Sequence, residues 1–168
     1  MGRKPAQRKR LGHNELAAVT ALRKQVLSFS LAAIDASVLE TRLNTRLVKH
    51  LQVVRPDVTS RGTHVVGFVG ERFVPDAVLL GRGAYPLLAV ECKCLRSAKD
   101  AKRCWKEGLA QAALYSRRYK VTFLVLYDFT LGSVYRKAFG RGNKVESSFG
   151  AALREMRIHV MVVAPRTT

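Results

Sequence analysis

Three ionisable residues lie inside apolar runs of the sequence, where charged side chains are uncommon. Asp76 lies within the run 73–80, and Glu91 and Lys93 close the run 87–93. Burial of a charge at such positions is costly unless the charge is paired or binds an ion. Side chains two residues apart on a strand share a face, so Glu91 and Lys93 should project together. A hairpin between the two runs would place Asp76 beside Glu91, and two carboxylates and an ammonium would converge.

This combination of side chains suits metal-assisted hydrolysis of a phosphodiester. Carboxylate oxygens are hard ligands for Mg²⁺ or Mn²⁺, and Mg²⁺ keeps several positions for waters and a phosphate oxygen. The bound ion polarises the phosphate and lowers the pKa of a water. We therefore expect Asp76 and Glu91 to bind the metal, and Lys93 to orient the attacking water or neutralise developing charge. The backbone carbonyl of Cys92 is a further candidate ligand, and the Cys92 side chain should point to the opposite, helix-covered face.

The runs that carry these residues belong to a series of predicted strands. Five segments rich in apolar, β-branched and aromatic residues are predicted as strands: 63–69, 73–80, 87–93, 121–127 and 158–164. A turn rich in Gly and Pro at 81–86 joins the second and third. Because these runs are mostly apolar on both faces, they are typical of central strands in a covered sheet.

Helical periodicity occupies much of the remaining chain. Helices are predicted from Asn14, which is the expected N-cap, and at 35–51, 100–118 and 145–156. The apolar stripes of the first two comprise Leu16, Val19, Leu22, Val26 and Leu27, then Leu39, Leu43, Leu47 and Leu51. Helices from both parts of the chain must cover the strands, so we predict an α/β fold with a central mixed β-sheet of about five strands flanked by helices.

The charge of the chain indicates the class of partner. Thirty Lys and Arg residues against 12 Asp and Glu give a formal net charge of +18. So large an imbalance in a small domain usually reflects a polyanionic partner. The cations are spread from Arg3 to Arg166, which favours nucleic acid over an anionic membrane surface. Basic residues in two clusters, at 96–106 and 117–120, are candidates for phosphate contact: Arg96, Lys99, Lys102, Arg103, Lys106, Arg117 and Arg118.

Composition also bounds organisation and location. We expect a basic flexible arm at 1–12 followed by a single domain at 13–168. No apolar run reaches the roughly 18 residues that a membrane span needs, and the N-terminal segment lacks the apolar core of a secretory signal. An intracellular protein, cytoplasmic or nucleoid-associated, is the expectation. The three cysteines, Cys92, Cys94 and Cys104, form no disulfide framework and are expected to be reduced and buried.

Pro75-Asp76 and Glu91-Cys92-Lys93 resemble the two signature elements of the PD-(D/E)xK, or restriction-endonuclease-like, nuclease superfamily. In that family the motif spans the second and third strands of an α/β core, as in the layout predicted above. The resemblance implies a metal-dependent nuclease in which Asp76 and Glu91 bind Mg²⁺ and Lys93 is catalytic. A second Pro-Asp pair, at 56–57, follows a predicted helix and lies far from Glu91 in the sequence, so Asp76 is preferred.

Two accessory features are similar to parts of the same superfamily, and the whole resemblance covers about residues 35–127. Gln111-Ala-Ala-Leu-Tyr115 resembles the Gln-x-x-x-Tyr helix of nucleases related to the RecB group. Its four-residue spacing puts both side chains on one helical face. Many members also carry a Glu on the helix before the sheet, and Glu40 matches by position, ahead of Asp35. The resemblance implies that Gln111, Tyr115 and Glu40 assist catalysis.

Two functions from different classes compete at this point. The first is a divalent-metal-dependent endonuclease, a hydrolase acting on DNA, with RNA as a variant substrate. A homodimer is considered because cutting two strands with one site per subunit needs two-fold geometry. The second is a non-catalytic nucleic-acid-binding module that retains the nuclease fold, in which Glu91 and Lys93 form only a strand-end ion pair. Carboxylates repel phosphate unless a metal intervenes, which favours the first.

Overall fold

The computed structural model describes residues 10–32, 34–60, 66–68, 71–130 and 144–164. In chain order its elements are α1 (His13–Ser28), α2 (Glu40–Gln52), β1 (Thr59–Ser60), β2 (Val66–Phe68), β3 (Glu71–Phe73), β4 (Ala77–Leu80), β5 (Pro86–Leu95), α3 (Ala98–Ser116), β6 (Val121–Asp128), α4 (Lys144–Glu155) and β7 (Ile158–Val163). In this part of the chain no helix is both long enough and apolar enough to cross a membrane.

A five-stranded mixed sheet in the order β1-β4-β5-β6-β7 forms the centre of the fold. β4 runs antiparallel to both β1 and β5, whereas β6 and β7 continue parallel to β5. The two parallel connections each pass through a helix, α3 and then α4, because parallel neighbours cannot be joined by a tight turn. The prediction of an α/β fold with about five strands in a mixed sheet flanked by helices is confirmed.

Alternating side chains of β5 divide the core between the two faces of the sheet. Val90 and Cys92 pack in the cluster that contains the buried residues of α1 and α2. Leu95 packs with Ala112 of α3 on the other face. β6 is buried at all eight positions, as expected of a strand covered on both sides. Glu91 and Lys93, by the same alternation, belong to the α3 face.

The first two helices begin at different residues from those predicted. α1 is capped by Gly12 rather than Asn14, and the Glu15 carboxylate accepts the Gly12 N–H at 2.8 Å. The buried apolar face of α1 is narrower than predicted, since Leu16 and Leu27 are 54% and 53% exposed. α2 begins at Glu40 rather than near 35. The Asp35 carboxylate accepts the Ser37 N–H at 2.6 Å, a local turn that competes with helix.

The strands around Asp76 also differ from the prediction. The predicted strand 73–80 is two elements, because β3 ends at Phe73 and β4 begins at Ala77. Pro75 lies between them and has no N–H to donate to a ladder. Among the described residues β2 and β3 pair only with each other, so the described part of the first predicted strand, Val66–Phe68, lies outside the main sheet. The two residues of β1, which were not predicted as a strand, form the sheet edge instead.

The predicted N-terminal arm is largely outside the described residues, which begin at 10. Leu11, which is described, packs against the core.

Candidate active site

The candidate site is organised around the edge of β5 that β4 leaves uncovered. Ala77, the first residue of β4, pairs with Val90, so β5 continues past the start of its neighbour. Asp76 directly precedes β4, and its N–H donates to the carbonyl of the same Val90 at 2.9 Å. Beyond this point the main-chain groups of β5 on this side have no strand partner in β4.

Two carboxylates take the place of the missing strand. The Cys92 N–H donates to Asp76 Oδ2 at 2.9 Å, and the Cys94 N–H donates to Glu40 Oε2 at 2.9 Å. In a strand the N–H and C=O of one residue point to the same edge, so the Cys92 carbonyl also faces this edge. The structure therefore brings together Asp76, Glu40 and the Cys92 carbonyl, which come from three separate parts of the chain.

Glu91 and Lys93 form a buried ion pair beside these groups. Lys93 Nζ donates to Glu91 Oε1 at 2.7 Å, with side-chain exposures of 14% and 4%. Burial, followed by repulsion from Asp76, raises the pKa of Glu91 to about 7, although Lys93 opposes the shift. Burial alone would lower the pKa of Lys93, but Glu91 and the neighbouring carboxylates outweigh it and raise that pKa. Lys93 is therefore a cation near neutral pH, next to a carboxyl that releases its proton reluctantly.

Helix α3 covers Lys93 at a glycine. A Cβ built on Gly108 would lie 3.1 Å from Lys93 Cγ and 2.9 Å from Leu124 Cδ1. The helix thus approaches β5 closely enough to confine the stem of Lys93 between Gly108 and the strand. Nothing in the motif pointed to Gly108, and a glycine in a helix interior, which is unfavourable by itself, was the available signal.

The predicted pair on α3, Gln111 and Tyr115, lies on the same face of the sheet. Tyr115 is fully buried, and burial raises its pKa above the usual range, so its hydroxyl stays protonated. That hydroxyl is close enough to Glu91 to favour the ionised carboxylate, although the two groups do not form a hydrogen bond of standard geometry. Gln111 Oε1 is buried and has no partner among the described residues.

The approach of Glu40 to the strand depends on the segment before α2. Arg96 follows β5, and its guanidinium donates to the carbonyls of Ala36 and Val38, each at 2.6 Å. Arg96 was predicted to contact phosphate, yet two of its nitrogens are engaged in this link within the protein. Asp35, the weaker alternative to Glu40, is occupied by its bond to Ser37 and is not brought to the site.

The other predicted phosphate contacts lie on the surface of α3 and of the turn that follows it. The exposed members are Lys99, Lys102, Arg103, Lys106, Arg117 and Arg118. Arg103 is 3.7 Å from Asp100, an exposed pair of small energetic weight. They flank the part of α3 that covers Lys93, and their role in binding stays a prediction.

The remaining candidates of the sequence take no part in this arrangement. Asp57, from the competing Pro-Asp pair, is bonded to Arg55, and that bond lowers its pKa. The Cys92 side chain is buried among the α1 and α2 residues, as predicted, and accepts the Tyr127 hydroxyl at 3.4 Å.

The donor set agrees with the ligand preference of a small hard cation. Within the described ranges, no group of three or more His, Cys, Asp and Glu side chains is arranged to hold a metal by itself. Mg²⁺ does not need one, since it binds through one or two carboxylates and keeps several waters. Asp76, Glu91 and the Cys92 carbonyl supply oxygens alone, which is the chemistry that Mg²⁺ and Mn²⁺ select.

Comparisons with known proteins add little to this geometry. No protein family matches the chain, and no curated protein is similar enough to count as a relative. The solved structure of the YaeQ protein from Xanthomonas axonopodis pv. citri superposes with a TM-score of 0.28 and 15% sequence identity. That comparison covers 77% of this chain and 70% of the YaeQ chain. A likeness of this degree carries no conclusion about the activity, so the function must be argued from the site itself.

Proposed function

We propose that this protein is a divalent-metal-dependent endonuclease that hydrolyses phosphodiester bonds in DNA. The observation that carries the proposal is the set of carboxylates at one strand edge. Asp76 accepts the Cys92 N–H, and Glu40 accepts the Cys94 N–H, the next one on the same edge of β5. The buried Glu91–Lys93 ion pair adjoins these two carboxylates. Carboxylates from separate chain segments converge there beside Lys93, which is an environment that a divalent ion stabilises.

The residues of the site divide between holding the ion and handling the water. Asp76 and Glu91 would bind Mg²⁺ or Mn²⁺ together with the Cys92 carbonyl, and the ion would polarise the phosphate and acidify a water. Lys93, a cation held at 2.7 Å from Glu91, orients that water and offsets the charge that develops on the phosphate. Glu40, fixed to the Cys94 N–H, holds a second carboxylate along the same edge, where it accepts hydrogen bonds from water.

The surface charge supports a nucleic acid as the substrate. A formal charge of +18 favours a polyanion, and exposed cations lie on α3, the helix that covers the site. DNA is the preferred form, and duplex, single-stranded or branched DNA would each satisfy the same electrostatics. Homodimerisation would allow two sites to cut both strands.

A substrate panel tests this proposal. The full chain is incubated with supercoiled plasmid, linear duplex, single-stranded DNA, a four-way junction and RNA, each with Mg²⁺, Mn²⁺ or EDTA. We expect cleavage of at least one DNA form with either metal and none with EDTA. Tight, salt-sensitive binding of every substrate without any cleavage would contradict the proposal and favour a non-catalytic binding module. Cleavage of RNA alone would support the metal-dependent hydrolysis and would show that the substrate is RNA instead of DNA.

A further inference from the structure

Asn44 is a buried polar residue whose side chain has no hydrogen-bond partner in the described part of the chain. It lies in α2, one turn after Glu40, and is 6% exposed. Neither its Nδ2 nor its Oδ1 is bonded to another described group. An unpaired amide in the interior is destabilising, so such a group in a folded protein calls for an explanation.

The place of Asn44 provides that explanation. Its side chain lines a cavity of about 140 Å³ whose walls also include Asp76. The rest of the lining comes from α2 and β1: Thr41, Thr45, Val48 and Ser60. A water molecule needs roughly 10–15 Å³ of such space, so the cavity is large enough for several. Residues four apart share a helix face, and Asn44 is therefore on the side of α2 that carries Glu40 to β5.

The other polar groups of the cavity have different surroundings. Thr45 is exposed, and its hydroxyl donates to the Thr41 carbonyl at 2.9 Å, within the helix. Thr41 and Ser60 are exposed at the rim. Asn44 is thus the buried neutral group beside Asp76, and its amide offers both donors and an acceptor.

We propose that Asn44 belongs to the metal centre as a positioning residue, hydrogen-bonded to a water in the hydration shell of the ion that Asp76 binds. The inference rests on the proposed function. Mg²⁺ retains several waters, and groups that orient such waters affect metal affinity without touching the ion. A neutral amide suits this task because it adds no charge to a site that already holds three carboxylates.

The proposal predicts opposite effects on stability and on metal binding. Asn44→Leu removes the unpaired amide at similar volume and introduces a better helix former. We expect a higher thermal midpoint for the metal-free protein, together with a roughly tenfold to hundredfold loss of affinity for Mg²⁺ or Mn²⁺. Differential scanning calorimetry measures the first and isothermal titration with each metal the second. Asn44→Asp, which keeps an acceptor and buries a charge, should lower the metal-free midpoint and retain the affinity.

Thr45→Val is the matched control, because it removes a hydroxyl of the same cavity that is already bonded within α2. It should leave metal affinity unchanged. A lower thermal midpoint for Asn44→Leu, or a failure of that variant to fold, would show that Asn44 is structural and overturn the inference. Unchanged affinity in a folded Asn44→Leu protein would overturn it as well. If the unsubstituted protein binds neither metal, the proposed function itself fails, and that result is distinct from either outcome.

Discussion

At the scale of single residues, two of the three carboxylates of the candidate site, Asp76 and Glu40, accept main-chain N–H groups at the uncovered edge of β5. Asp76 and Glu40 are each fixed by one oxygen to an amide of β5, at 2.9 Å. These bonds fix both side chains against the strand. The consequence is electrostatic, because Asp76, held close to Glu91, raises the free energy of the ionised Glu91 carboxylate.

Glu91 should therefore titrate near neutral pH in the metal-free protein. Burial and then Asp76 raise its pKa from 4.5 to about 7. The folded state binds this proton more tightly than the unfolded state, so the shift costs stability as the pH rises from about 4.5 to about 7. Bound Mg²⁺ favours the carboxylate and should move the titration to lower pH. Carbon-13 NMR of the Glu91 carboxyl measures both states, and a metal-free midpoint near 4.5 would contradict the expected environment.

Asp76→Asn should separate metal-supported cleavage from binding. The amide oxygen can still accept the Cys92 N–H, whereas the anionic metal ligand is lost. We expect cleavage to be abolished and DNA affinity, measured by fluorescence anisotropy, to be unchanged or higher because a charge that repels phosphate is gone. Asp57→Asn is the control, since Asp57 pairs with Arg55 and should not affect cleavage. Loss of DNA binding by Asp76→Asn would mean instead that Asp76 is structural.

At the scale of elements, the site depends on how closely two helices approach β5. α3 comes within van der Waals distance of Lys93 because Gly108 has no side chain. α2 reaches the strand edge through Glu40, and Arg96 secures the segment before it. The positions of these helices, more than any loop, determine whether the charged groups meet.

Gly108→Ala should lower activity by displacing Lys93. The new methyl would lie 2.9 Å from Leu124 Cδ1 and 3.1 Å from Lys93 Cγ, so these side chains or the helix must shift. We expect cleavage to slow by roughly tenfold to hundredfold while DNA affinity is retained, because small displacements of a catalytic group are costly. Gly150→Ala in α4 is the matched control, since its methyl would be 3.5 Å from the end of Arg154, an ordinary contact. Equal single-turnover rates for the two variants would show that the approach of α3 has no catalytic role.

Arg96→Gln should slow cleavage and leave the salt dependence of DNA binding unchanged. The substitution removes the donors to Ala36 and Val38 and loosens the segment that carries Glu40. Lys99→Gln, the control, removes an exposed cation and should reduce the slope of log affinity against log salt by about 1 if Lys99 contacts phosphate. In a Glu40→Gln background the effect of Arg96→Gln on cleavage should nearly vanish. Additive effects of the two changes would refute the coupling.

Sequence patterns predicted those features that depend on local information. Both ends of α3 and both ends of β6 lie within two residues of their predicted bounds. Strong apolar periodicity and flanking polar residues define these two elements. The start of α2 was misplaced, since it depends on the Asp35 turn and on Arg96, which is distant in sequence. The assignment of 63–69 to the main sheet failed for a related reason, because period-two patterning does not identify a pairing partner.

The candidate site was predictable to a similar extent. Asp76, Glu91 and Lys93 follow from charged residues in apolar runs of the sequence, and the β4–β5 hairpin brings Asp76 close to Glu91. Asn44 and Gly108 are ordinary residues whose significance comes from what lies beside them, a cavity wall in one case and a lysine stem in the other. Single-sequence patterns do not contain that information.

At the scale of the whole molecule, the uncovered edge of β5 that carries the candidate site lies between two helices with basic surfaces. α3, on one face of the sheet, exposes Lys99, Lys102 and Lys106, and α2, on the other face, exposes Arg42 and Arg46. A polyanion that crosses the edge of β5 would meet cations on both sides and carboxylates in the middle. The cations attract the backbone, and a metal ion at the carboxylates removes the repulsion at the point of cleavage.

Single-turnover cleavage of a labelled duplex or plasmid in Mg²⁺, with Glu91→Ala and Lys93→Ala beside the unsubstituted chain, tests the metal-dependent mechanism most directly. We predict cleavage by the unsubstituted protein that stops in EDTA and returns with Mg²⁺, and a loss of at least a hundredfold in each variant, on the order of the removal of a single electrostatic group from an active site. DNA binding should persist in both variants. Cleavage that continues in EDTA, or that is undiminished in either variant, would contradict the assignment of Asp76, Glu91 and Lys93 as the catalytic centre.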